Sequence, residues 1–517
     1  MNVPLRWLIG IWWGLGCCST AFAQDSARYH LSAFASAGTL PAVGGRTPFW
    51  LAANQFGIIP NTPQAGLLQV GLRYRQALGR PNRWGIEAAL EGVVQSNNPG
   101  VNLIVPEAFA RLHYRKWELM VGRRREILGF QDSTLSSGGA LWSGNALPLP
   151  QVRIGNSDYV PFPVLKRWLS FKGFFTHGWF EGPKANAFVQ NGYLHSKGLY
   201  LRFGKDTWPV AFHAGLVHYA QWGGYAPELK DDNGSYSKFG YFEASWLAYW
   251  RVIRAKSLNP VFYGGTSPAE ISLDINRVGN HIGTLDLATE IRFKTGRLFL
   301  YRQHFIEDGS LFFLTNVADG LNGIRWQRSN QPQTDVSLDR LTAEYLYTIS
   351  QGGSVFDVNI GKLRGRDNYF DQSQYRDGWA YQHRTIGTPF ITPDADLAKG
   401  VRKDIRILSN NRVRMFHIGA AGRAFGVGWE TKWSFSQNFG TYEYPMTPSG
   451  AGVNQLSGLI RGRSTLPFGE GLEASFALGW DKGGLYDDAL GLYLGVRKTW
   501  GSLLKPVENR QTSPRKF

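Results

Sequence analysis

Apolar and polar residues alternate with a period of two along most of this chain. Val70, Leu72 and Tyr74 alternate with Gln69, Gly71, Arg73 and Arg75, and Ile86, Ala88 and Leu90 with Glu87 and Glu91. Leu285, Leu287, Ile291 and Phe293 share one face, while Asp286, Glu290 and Arg292 share the other. Phe425, Val427, Trp429, Trp433 and Phe435 oppose Gly426, Gly428, Glu430, Lys432 and Ser434. Leu472, Ala474, Phe476, Leu478 and Trp480 oppose Glu473, Ser475 and Gly479, and similar patterns cover 199–205, 341–347, 354–362 and 490–497. A period of two predicts strands with one apolar and one polar face.

A soluble sandwich would show the same alternation. Here the second face carries Glu, Arg and Lys mixed with Gly, and Trp, Tyr and Phe cap the apolar face near strand ends. That pairing suits a lipid-facing wall around a polar lumen. Past residue 23 no apolar run approaches the roughly 18 residues of a spanning helix. A closed antiparallel β-barrel is then the remaining way to cross a bilayer. Roughly 490 residues at roughly 25–30 per strand with its connections predict 16–20 strands. A barrel of that width needs either an aqueous channel or a plug.

Five segments depart from the alternation. Residues 24–66, and 28–66 in particular, are punctuated by Ala, Gly and Pro and predict short helices and turns before a barrel spanning 67–500. Residues 244–256 place Trp246, Trp250 and Ile253 on one helical face but also alternate, so helix and strand stay open. Residues 364–400 read as a long loop, and 501–517 as a polar tail. Residues 122–150 begin where the strand bearing Trp117, Leu119 and Val121 ends; three arginines follow, then an Asp-Ser turn and a Ser/Gly run. That segment reads as something the barrel holds rather than as part of its wall.

The first 23 residues predict a cleaved export signal. Arg6 begins it, Trp7 to Leu15 form the apolar core, and Ala21-Phe22-Ala23 precede Gln24. A lipoprotein signal at Cys17 or Cys18 fits less well, because the residues before them lack the aliphatic spacing. Cys17 and Cys18, the only cysteines, leave with the signal, so the mature protein needs no disulfides. A net charge of +17 favours acidic partners. Nucleic acid would match the charge but neither the signal nor the aromatic-rich walls.

Pro48-Phe49-Trp50-Leu51 with Asn54 and Gly57, followed by Gly122-Arg123, Asp132-Ser133, Leu135 to Gly138 and Ser143 to Ala146, resembles the Wzi-type capsule assembly family of outer-membrane proteins, in the branch found in Bacteroidetes-like bacteria. The likeness begins there. It continues through Phe171-Lys172-Gly173, His177-Gly178-Trp179, Gln303-His304, Glu307 to Ser310, Asp319-Gly320-Leu321, Arg366 to Tyr369 and Gly378-Trp379. The motifs run in order from about residue 45 to about 420. The resemblance implies a barrel of about 18 strands in the outer membrane of a Gram-negative bacterium, with a short helical element on the periplasmic side. It also implies outer loops obstructing the lumen, and a non-enzymatic role in binding capsular polysaccharide or exopolysaccharide.

The candidate ligand residues are Arg123, Arg124, Asp132, Trp142, Asp308, Asp319, Arg366, Asp367, Tyr369 and Trp379. Guanidinium forks bind carboxylates or phosphates in pairs, and flat rings stack on sugar faces. Each has a plainer reading. Arg123 to Arg125 with Glu126 and Asp132 suit an internal ion-pair network pinning an inward loop. Ser136 to Asn145 suit a tightly packed constriction, Asp308 and Asp319 suit turns, and the rings of 364–400 suit an aromatic girdle. Catalysis is not expected, since neither H-E-x-x-H nor G-x-S-x-G occurs. Neither cofactor nor metal is called for. The expected partners are acidic polysaccharide, outer-membrane lipid and lipopolysaccharide, around a monomer, with a general or sugar-selective porin as the alternative function.

Overall fold

The computed structural model describes residues 29–501 apart from 80–82, 98–99, 166, 182–187, 233–236, 256–276, 308–312, 330–333, 356, 358–359, 361–364 and 405. The export signal at 1–23, Asp308 and nearly all of the tail lie outside the described residues. Eighteen antiparallel strands form the wall: β1 Tyr29–Leu40, β2 Ala65–Leu78, β3 Trp84–Asn97, β4 Val101–Tyr114, β5 Trp117–Arg123, β6 Gln151–Asn156, β7 Leu169–Trp179, β8 Tyr193–Phe203 and β9 Val210–Trp222. They continue as β10 Asn280–Phe293, β11 Gly296–Glu307, β12 Gly320–Arg328, β13 Val336–Tyr347, β14 Val413–Ala424, β15 Val427–Asn438, β16 Val453–Thr465, β17 Leu472–Gly483 and β18 Ala489–Trp500. Two-residue strands at Ala42–Val43 and Val160–Pro161 add to the same sheet.

Each strand pairs with its chain neighbours, and β1 closes the ring. It lies between β2, in register from Tyr29↔Gln76 to Leu40↔Ala65, and β18, from Ala33↔Trp500 to Thr39↔Leu494. This corrects the expectation for 24–66, because a full wall strand occupies 29–40. The sequence YHLSAFASAGTL places small Ala33, Ala35 and Ala37 outward, so its alternation is faint. Among the described residues of this region, only Phe49–Ala52 is helical (α1). The described residues among 354–362 form no strand.

The wall is inverted relative to a soluble protein. Val70 is 63% exposed on the outside and Glu91 is 3% exposed on the inside. Leu68, Leu72, Leu90, Leu287, Phe416, Ile418, Phe435 and Leu494 join the exposed exterior, while Glu87, Asp286, Glu290, Glu344 and Lys432 lie buried inside. Such an exterior belongs in hydrocarbon, and closure leaves no unpaired strand edge there.

The two rims differ. Connections 41–64, 124–150, 223–279, 348–412 and 439–452 all leave the wall at one end, here the loop rim. Turns such as 115–116, 294–295 and 425–426, and both ends of the described chain, lie at the other, the turn rim. The described part of 244–256 resolves as a helix, α2 Trp246–Arg254, because the Ser245 hydroxyl accepts the Ala248 amide at its start and Ala255 ends it in the left-handed region.

The inverted wall makes a direct prediction. Val70→Arg places a charge in the outward apolar band and should cost about 2–4 kcal/mol, whereas Gln69→Arg, facing the lumen one residue away, should leave stability nearly unchanged. Urea unfolding midpoints in lipid vesicles measure this; equal losses would contradict the assigned faces.

Candidate functional site: a plugged lumen and a rim cleft

The strand β5 breaks off at mid-wall, and from there residues 124–150 turn into the lumen. Gly122 makes the turn possible: its φ is +117° and a Cβ would lie 2.1 Å from the Ala108 carbonyl. The segment crosses to the opposite wall. Ala140 N–H donates to Gln303 of β11 at 3.0 Å, Ser136 Oγ and Ser137 N donate to Glu344 of β13 at 2.7 and 2.6 Å, and the Leu135 carbonyl lies 2.6 Å from His417 Nε2 of β14. Tyr301 Oη also donates to Glu344. The carboxylate is therefore buried but fully used, as a low-dielectric site requires.

Where the segment starts, arginines meet glutamates of the lumenal wall. Glu87 accepts from Arg73 at 3.2 Å, Arg75 at 2.9 Å and Arg111. Glu118 pairs with Arg111 at 3.0 Å and Arg124 at 2.8 Å, Glu126 with Arg153 at 2.8 Å, and Arg125 with Glu91. Arg123 donates to Glu181 at 2.6 Å and to the Val105 carbonyl at 3.1 Å. These arginines hold the inward loop in place, which is the plainer of the two readings offered by sequence.

Two further segments interlock with it. Ser143 N–H and Oγ donate to the Ile386 and Gly387 carbonyls at 2.9 and 2.7 Å, Thr388 N–H donates to the Ala140 carbonyl at 3.1 Å, and Asn145 donates to Thr385. Arg384, on 348–412, donates to the Ile59 carbonyl at 2.6 Å and Asn61 Oδ1 at 2.7 Å on 41–64. In α1, Phe49 N–H donates to Asp481 at 2.8 Å and Trp50 Nε1 to Ser434 at 3.0 Å, fixing this segment to β17 and β15. A continuous apolar core runs through all three segments, with Trp50, Phe390, Leu141, Trp142 and Trp379 meeting the wall residues Tyr219, Phe305 and Met415. The loop-rim half of the lumen is filled.

Most predicted ligand residues belong to this plug. Trp142 stacks on Tyr219 at 5.6 Å and donates to the Glu126 carbonyl. Trp379, wholly buried, donates to the Leu141 carbonyl at 2.6 Å. Tyr369, also wholly buried, stacks on Phe305 at 4.9 Å and donates to Asp319 at 2.7 Å. Asp367 is buried near Asn316. These rings are therefore not stacking surfaces for sugar; the plug needs them as its own core. Of the described candidates, Arg366 alone stays substantially exposed, paired with Glu443 at 2.9 Å. Arg124 is closed within its ion pairs. Asp132 accepts from the Thr134 and Leu135 amides at 2.9 Å and from Arg340 at 2.9 Å. Burial opposes its charge, yet these donors hold its carboxyl below the ordinary range. Beneath the plug, exposed Ser133 and Thr134 and half-exposed Arg75 face the turn-rim half of the lumen.

Sequence reasoning missed the open site. At the loop rim a cleft of about 390 Å³ lies between 223–243, 277–279 and plug residues 374–375. Tyr241, Phe242 and Tyr375 supply rings, while Lys238, Arg277 and Gln374 supply polar groups. Phe242 packs on Tyr375 at 5.0 Å, and Tyr375 donates to the Gly223 carbonyl at 3.2 Å, so the floor is rigid. Rings beside a guanidinium and an ammonium, which outnumber the single Glu243 carboxylate in the lining, suit a flat, polar, anionic ligand. Among the described residues, no group of three or more His, Cys, Asp or Glu is placed to hold a metal ion.

The fold and plug define a class, the wide membrane barrel closed by its own connections. Among solved structures, Escherichia coli Wzi, described as an outer-membrane protein involved in group 1 capsule assembly and as a carbohydrate-binding β-barrel, matches with a TM-score of 0.55 at 11% identity, over 91% of this chain and 84% of that one. Pseudomonas aeruginosa OccK5 (OpdH) matches with a TM-score of 0.46 at 9% identity over 92% and 98%, and Acinetobacter baumannii OccAB4 with 0.44 at 10% identity over 92% and 100%. At these identities the likeness is one of fold. No family model and no curated protein sequence matches the chain.

Asp132→Ala removes both the turn cap and the Arg340 pair and should weaken seating of 124–150 by about 2 kcal/mol. Faster hydrogen exchange at the Leu135, Ser136 and Ser137 amides reads this; unchanged exchange would contradict it. Asp319 gives a pH test. Burial pushes its carboxyl up to about 6, against hydrogen bonds from Tyr369 and from the Ser350 and Gln351 amides. The folded state then holds a proton, between about pH 4 and 6, that an unfolded chain has released. Seating of 348–412 should weaken as pH rises through that window, and Asp319→Asn should flatten the dependence. Exchange at Ser350 and Gln351, corrected for intrinsic rates, measures it; an equal slope in both proteins would contradict it.

Proposed function

We propose that this chain is a non-enzymatic outer-membrane barrel that binds acidic capsular polysaccharide or exopolysaccharide at its loop rim and helps hold it at the cell surface. Long connections on one rim and short turns on the other are the usual arrangement of outer-membrane barrels, with the long ones outside the cell. The observation that carries the reading is the plug. A lumen packed with Trp50, Trp142, Trp379 and Phe390 leaves no wide path for solutes, so the exposed rim becomes the working surface. The rim cleft supplies rings and basic groups there, and a net charge of +17 draws an anionic polymer toward it. The fold likeness to a barrel described as carbohydrate-binding supports the same direction. One observation favours the alternative of a sugar-selective porin: the turn-rim half of the lumen is lined by partly exposed arginines, including Arg75, Arg340 and Arg461.

Purified protein in detergent should bind the acidic polysaccharide of its own bacterium, and weaken as salt rises. Arg277→Ala should lower affinity by about tenfold, the scale of one lost charge-assisted hydrogen bond. Tyr241→Ala should also weaken binding, whereas Trp142→Phe, inside the plug, should not. Binding that ignores salt and both cleft substitutions would overturn the reading.

A further inference from the structure

On β7 to β10 the barrel exterior changes character near the loop rim. Further from that rim the outward positions carry Leu199, Leu216 and Leu287, each about half exposed. Toward it, the same faces carry His177, His195, Lys197, His218 and His281. Imidazoles and an ammonium facing hydrocarbon are costly, and α2 covers three of them, His177, His195 and Lys197. Tyr249 stacks on Trp222 at 5.2 Å and meets His177 and His195 edge-on at 5.3 and 5.9 Å. Ala248 and Val252 are wholly buried against Ala220, Trp222 and Val278. Lys197 donates to the Ile253 carbonyl, so a cation on the wall meets the negative end of the helix.

The other side of α2 is unlike a water-facing helix. Trp246 is 70% exposed, with Leu247 and Trp250 also exposed and the two indoles 6.0 Å apart. This edge continues the apolar exterior of the barrel rather than its polar rim. Two arginines stand in the last turn. Arg251 lies 3.4 Å from Glu243, while Arg254 is exposed with no ion pair among the described residues. Indoles beside arginines on a short helix are the makeup of an element lying in the headgroup boundary.

We propose that α2 is an interfacial lipid anchor: Trp246, Leu247 and Trp250 enter the acyl boundary of the leaflet beside the loop rim, and Arg251 with Arg254 binds the phosphate of an anionic lipid there. The proposal rests on the membrane-barrel reading and not on polysaccharide binding. It also gives part of the histidine patch a reason, since the helix that meets lipid is the cover that keeps His177 and His195 out of it.

Two measurements on the full-length protein in lipid nanodiscs test it. The fluorescence difference between the native protein and Trp246→Phe/Trp250→Phe isolates these two indoles. It should be quenched by phosphatidylglycerol brominated near the headgroup end of its chains; a difference signal that bromine leaves untouched would overturn the insertion. Native mass spectrometry should show phosphatidylglycerol held more weakly by Arg251→Gln/Arg254→Gln, roughly fivefold for each arginine, with phosphatidylcholine unaffected. Equal retention of both lipids by native protein and variant, or displacement by millimolar inorganic phosphate alone, would overturn the lipid-phosphate site. The heat-dependent gel shift of a folded barrel confirms that each variant is intact. Undiminished polysaccharide binding by the Trp246→Phe/Trp250→Phe protein separates a failure here from a failure of the proposed function.

Discussion

Closure of the backbone ladder is the constraint on which everything else in this protein depends. A sheet in hydrocarbon cannot leave N–H and C=O groups unpaired at an edge, and the pairing of β1 with both β2 and β18 removes the last edge. Closing eighteen strands fixes a width that wall side chains alone cannot fill. The protein fills that space with its own connections, so the plug follows from the wall.

The plug is held by two kinds of contact that complement each other. Near the β2–β6 wall, arginines and glutamates form a network in which Glu87 and Glu118 each serve several guanidiniums. Such pairs are weak as sources of net stability, but removing one partner leaves the other stranded, so they fix where 124–150 sits. Further across, the contacts turn apolar and backbone-to-backbone, as 140–145 runs alongside 385–388. Charges set the position and the aromatic core excludes water. The rim cleft borrows its rigidity from this arrangement, since Tyr375 belongs to the plug and Phe242 to the 223–279 connection.

The wall was legible in sequence because period-two alternation is enforced on every strand with lipid outside and a charged lumen inside. It was least legible at 29–40, where small outward alanines carry little apolar signal, and the region read as helix and turn. At 244–256 the same residues fit both periods, and only the Ser245 cap and the left-handed Ala255 decide for helix. The arginines of 123–125 spoke for ion pairing as well as for ligand, and the structure spends them on pairing. Tyr369 and Trp379 misled for a related reason: a plug is a small soluble core inside a membrane protein, and its aromatics resemble a binding surface until their partners are known. Those partners, such as Phe305 for Tyr369 and Leu141 for Trp379, lie far away in sequence. The cleft depends on three distant segments meeting, which no local pattern records.

Connections 41–64, 124–150 and 348–412 close the lumen. Single-protein conductance in planar bilayers tests this closure. The native protein should carry negligible steady current, and stable openings should appear once residues 128–149 are replaced by a short Gly-Ser linker. A large, steady conductance from the native protein would contradict it.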